Sequence, residues 1–101
     1  MKIYYAGRIY KIYDVDDESM FYIGSTSQPL SKRFAQHRTD AKEHSNRPFL
    51  QYLLTHKMKI ELIELINRQI TKEELNMIER KYIQEMKPPL NRYVAGAIAP
   101  E

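Results

Sequence analysis

The sequence predicts a small α/β layer: a three-stranded, mainly antiparallel sheet with helices packed on it, in the order ββααβα. Three observations predict this. Two short runs rich in isoleucine and tyrosine flank an acidic turn, which is the pattern of a hairpin. A third alternating run follows at residues 58–66. Between and after these runs come segments with helical periodicity and recognisable start signals.

The first strand spans residues 8–14, where Ile9, Tyr10, Ile12 and Tyr13 suit a pleated surface. Asp14 to Ser19 is polar and acidic and reads as a turn. The spacing of Asp14, Asp16, Asp17 and Glu18 lacks the glycine and terminal glutamate of a calcium loop. Residues 20–24 form the second strand. A loop centred on Asp16 pairs residues whose numbers sum to 32, so Tyr10 faces Tyr22 on one side of the sheet. A slip of one residue would put them on opposite sides. Pro29 or Ser31 starts a helix that runs to about Lys42. Asn46 and Pro48 start another, through Leu54. In the third strand Met58, Ile60 and Leu62 alternate before the run turns mostly apolar. Thr71 with Glu74 makes a capping box, and a helix follows to about Met86. Lys87-Pro88-Pro89 ends it, because proline cannot continue a helix. The domain is expected over 1–93, with 94–101 a loosely held tail.

With 101 residues the chain holds one domain with one real core. The absence of cysteine excludes disulfides and thiolate metal sites. With no signal peptide and no long apolar run, the chain is expected to be intracellular, in cytoplasm or nucleus, away from membranes. A net charge of +3 favours an anionic partner.

Polar residues on apolar faces are more telling. At about 100° per residue, Leu30, Phe34 and Ala41 define the stripe of the first helix. His37 falls inside that stripe and Arg33 lies on its flank. In the last helix Leu75, Ile78, Tyr82 and Met86 define the stripe, and Glu79 sits inside it. A carboxylate aimed at a core costs several kcal/mol unless it is paired or binds a metal. Convergence of such groups with the hairpin tyrosines is what an active site requires. Each residue also has an ordinary reading. Tyr10 and Tyr22 suit any strand, Arg33 and His37 a solvated helix pair, Glu79 an ion pair with a nearby cation, and Asn91 a turn. His44 and His56 have no spaced partner and read as surface residues.

These residues resemble the GIY-YIG nuclease superfamily. Arg8-Ile9-Tyr10 stands at that family's first motif and Tyr22-Ile23-Gly24 matches its second. Arg33 and His37 match the arginine and histidine of its first helix, Glu79 its glutamate, and Leu90-Asn91 its late asparagine. The resemblance covers residues 7–92. Arg8 replaces the first glycine, with Gly7 one step earlier.

The resemblance implies a GIY-YIG fold and a metal-dependent DNA endonuclease using one Mg²⁺ or Mn²⁺ ion. The substrate would be double-stranded or branched DNA. Tyr10 would assist deprotonation of the attacking water, with help because a free tyrosine titrates near pH 10. His37 would be its proton partner and Tyr22 an orienter. Arg33 would clamp the phosphate, Glu79 would hold the metal, and Asn91 would support the site. Arg8, Lys11, Lys32, Arg38 and Lys42 are candidate DNA contacts. The alternatives are a non-catalytic nucleic-acid-binding module with the same fold, and a small interaction domain whose aromatic hairpin is merely core.

Overall fold

A computed structural model describes residues 3–43 and 47–91. The expected domain end at 93, the tail over 94–101, His44 and the expected helix start at Asn46 lie outside them. In chain order the elements are β1 (Ile3–Tyr4), β2 (Gly7–Asp14), β3 (Phe21–Thr26), α1 (Leu30–Glu43), α2 (Pro48–Thr55), β4 (Met58–Ile66), β5 (Ile70–Thr71) and α3 (Lys72–Met86). The main sheet has three strands in the order β3-β2-β4, and both pairings are antiparallel. A separate ribbon pairs β1 with β5. Neither of its two-residue strands is long enough to show a period, so they leave no sign in the sequence.

The sheet is covered on both sides. Tyr10 and Ile12 of β2 pack with Ala41, Phe49, Leu50 and Leu53 of α1 and α2. Ile9 and Ile23 pack on the other side with Ile70 and Leu75, where Ile78, Tyr82 and Ile83 of α3 complete the contact. Met86, expected in the α3 stripe, is 40 % exposed. The helix ends there, and Ile83 takes the inward place. The Thr71–Glu74 capping box forms as expected. At the other end Lys87 adopts a left-handed conformation and donates its N–H to the Ile83 carbonyl at 2.9 Å, just ahead of Pro88.

The hairpin register differs from expectation. Tyr10 pairs with Gly24, and Tyr22 pairs with Ile12, so paired numbers sum to 34 rather than 32. The cause is the turn chemistry. Asp14 Oδ1 accepts the Asp16 N–H at 2.9 Å, and Asp17 Oδ1 accepts the Ser19 N–H at 3.2 Å. Two side-chain-capped turns in series centre the loop on Asp17. Parity is preserved, so Tyr10 and Tyr22 still share a face, diagonally rather than directly opposed. In β4 the pairing slips between Ile9 and Tyr10, leaving Ile63 unpaired as a bulge. The bulge puts Glu64 and Ile66 on the Ile9 face, so the alternation changes phase after Leu62.

Candidate active site

Tyr10 sits in the central strand and has no exposed surface. Its ring lies across Gly24, the residue opposite. A Cβ built on Gly24 would come within 2.6 Å of Tyr10 Cζ and closer still to its hydroxyl. Only glycine leaves room there. The Tyr10 hydroxyl is hydrogen-bonded to His37 Nε2 at 2.8 Å, inside the core. His37 is wedged in an aromatic cage. Its ring meets Tyr22 edge-on at 5.6 Å and Phe49 edge-on at 5.4 Å, while Tyr22 and Phe49 stack at 4.0 Å. The other imidazole nitrogen, Nδ1, is buried without a hydrogen-bond partner among the described residues.

The electrostatics follow from burial. Enclosure raises the Tyr10 pKa above its ordinary value, the nearby Tyr22 adds to the rise, and the Arg33 guanidinium offsets part of it. Burial and then Arg33 lower the His37 pKa from 6.5 to about 4. At neutral pH the imidazole is therefore uncharged, and Tyr10 keeps its proton. Tyr22 is also raised, by burial and then by the Glu79 charge.

Glu79 arrives from the other layer. Its carboxylate accepts a hydrogen bond from the Ser25 hydroxyl. Ser25 pairs with Ile9 and shares its face, so α3 delivers Glu79 from the side opposite α1. Burial raises the Glu79 pKa, with Ser25 and Arg33 pulling it back. Glu79 and Arg33 both act on Tyr10 and Tyr22. The two helices thus do not face each other over one side of the sheet. They converge around β3, an edge strand, where the Tyr10 ring lies against Gly24 on one face and Ser25 holds Glu79 on the other. Tyr22, Arg33 and Glu79 are half-buried and form the open part of the cluster, while Tyr10 and His37 stand behind.

Asn91 is 8 % exposed and clamps the same strand. Its Oδ1 accepts the Ile23 N–H at 2.6 Å and its Nδ2 donates to the Ile23 carbonyl at 2.8 Å. The amide thereby closes the free edge of β3 between Tyr22 and Gly24. The candidate DNA contacts are more scattered. Arg8 donates to the Ser27 and Gln28 carbonyls at 3.3 and 3.4 Å, tying the strand to the loop before α1. Lys11 shares the Ile9 face, away from Tyr10, where it pairs with Glu61 at 3.9 Å. Lys32, Arg38 and Lys42 are exposed along α1. Sequence reasoning missed Ser25. A single serine in a strand carries no periodic signal, and only its position after Gly24 could have drawn notice.

The three-layered α/β domain thus gathers a glutamate, a histidine and an arginine around one edge strand. The sequence matches the model of the GIY-YIG catalytic domain over residues 6–93, so the chain belongs to that nuclease family. Neither the curated proteins nor the solved structures contain a match to it.

Proposed function

We propose that the protein is a metal-dependent endonuclease that hydrolyses DNA phosphodiester bonds. The observation that carries the reading is the Tyr10–His37 pair packed on Gly24 while Ser25, the next residue, holds Glu79. A binding module would need a basic surface but no such inward acid and tyrosines.

Tyr22, Arg33 and Glu79 meet the substrate. Arg33 takes the scissile phosphate, where a planar guanidinium offers paired donors. Glu79 would hold one Mg²⁺ or Mn²⁺. The fit is chemical: a partly desolvated carboxylate among hydroxyl groups is a hard oxygen set, and Mg²⁺ binds through one carboxylate, waters and substrate phosphate. When bound, such an ion neutralises charge building on the phosphate and acidifies water. Tyr10 and His37 handle the proton. As a water admitted to the enclosed Tyr10 hydroxyl is deprotonated, Tyr10 would receive its proton while Tyr10's own proton passes to His37 Nε2 along the 2.8 Å bond. Burial raises the Tyr10 pKa, which favours a relay through the pair over a standing phenolate. Asn91 holds β3 in place.

The test is plasmid nicking by purified protein with Mg²⁺ or Mn²⁺, with and without excess EDTA. Cleavage that stops in EDTA and falls steeply in Tyr10→Phe is the expected result. Binding of DNA without cleavage under any condition would make the protein a binding module.

A further inference from the structure

On the α1–α2 side of the sheet lies a second concavity that shares no residue with the cluster around β3. It is a groove of about 690 Å³ between the end of α1, the end of α2 and the start of β4. Its rim carries Arg38, Lys42, His56 and Lys57, and among the described residues no acidic one lines it. Leu53 and Leu54 contribute to an apolar floor, and Leu54 is 49 % exposed. Arg38 lies over the Phe34 ring at 4.4 Å, which holds its charge at the rim. His56 is stacked flat on Tyr52 at 3.7 Å, so its edge stays fixed on the same side.

We propose that this groove binds a single-stranded segment of the nucleic acid, resting on the nuclease reading above. The charge complementarity is one-sided: the cations Arg38, Lys42 and Lys57 along the rim match a phosphate backbone. The floor decides between strand types. A duplex turns phosphates outward and buries its base faces, leaving an apolar trough unfilled. An unpaired strand offers sugars and base faces to such a floor and phosphates to its rim. Because α1 carries Arg33 and His37 toward β3 and Arg38 and Lys42 toward the groove, one helix would connect a gripped flank to the reacting phosphate.

The test is binding of a fluorescent oligothymidylate, and of a duplex of equal length, in EDTA over a series of salt concentrations. The expected result is that Lys57→Glu and Arg38→Glu each weaken single-strand binding tenfold or more, with a smaller effect on duplex. Each should also flatten the salt dependence, by roughly 0.7 in the log–log slope for every phosphate no longer neutralised. Circular dichroism of both variants checks that the fold is kept. Wild-type affinity in both folded variants overturns the groove assignment. So does an equal loss for single strand and duplex. If wild-type protein nicks plasmid yet the variants bind normally, the groove alone is wrong. If wild-type protein binds no polynucleotide, the nuclease reading falls with it.

Discussion

Gly24 shows how one residue sets the geometry of the cluster. Its missing side chain lets the Tyr10 ring lie against β3, and the Tyr10 hydroxyl then reaches His37. Gly24→Ala should push that ring aside, break the 2.8 Å bond and cut the nicking rate at least tenfold with the fold retained. Paired measurements of nicking and near-ultraviolet circular dichroism check this. His37 gives a second prediction at this scale. Its folded pKa, about 4, lies below the unfolded value near 6.5. Above pH 6.5 the neutral imidazole costs nothing. As pH falls from 6.5 toward 4, the unfolded chain takes up the proton first and stability is lost. The full effect is on the order of 3 kcal/mol. In thermal melts across that window, wild type should lose more stability than His37→Tyr; parallel curves would refute the assignment.

At the scale of elements, Asn91 performs the work of a missing neighbour strand. Removing its amide leaves a buried N–H and a buried carbonyl on Ile23 unpaired. Asn91→Ala should cost about 2–4 kcal/mol in denaturant unfolding. Nicking should fall with it, since Tyr22 and Gly24 flank the released residue. The elements themselves were largely legible. The Thr71–Glu74 box located the start of α3, and helical periodicity placed His37 and Glu79 inward. The hairpin parity was legible but its register was not, because the Asp14 and Asp17 side chains decide where the turn closes. The bulge at Ile63 left a trace in the sequence, as a break in alternation. Asn91 was legible only by resemblance, since its partner is backbone 68 residues away.

At the scale of the molecule, three layers meet at one edge strand. Glu79 and His37 were both readable as inward-facing, yet the sequence does not reveal that they come from opposite sides of the sheet. Layer assignment depends on which face each helix covers, a tertiary fact. The basic groove was equally hidden, because Arg38 and Lys57 are distant in sequence and join only when α1 packs beside β4. No described helix is long and apolar enough to cross a membrane.

Under the proposed function, the acid delivered by α3 and the Tyr10–His37 pair backed by α1 form one catalytic site. The most direct measurement is the rate of plasmid nicking in Mg²⁺ by Glu79→Ala beside wild type, both verified as folded. Metal-dependent nicking by wild type and a loss of more than a hundredfold in Glu79→Ala are the results expected of one shared site. Undiminished nicking by Glu79→Ala would contradict it.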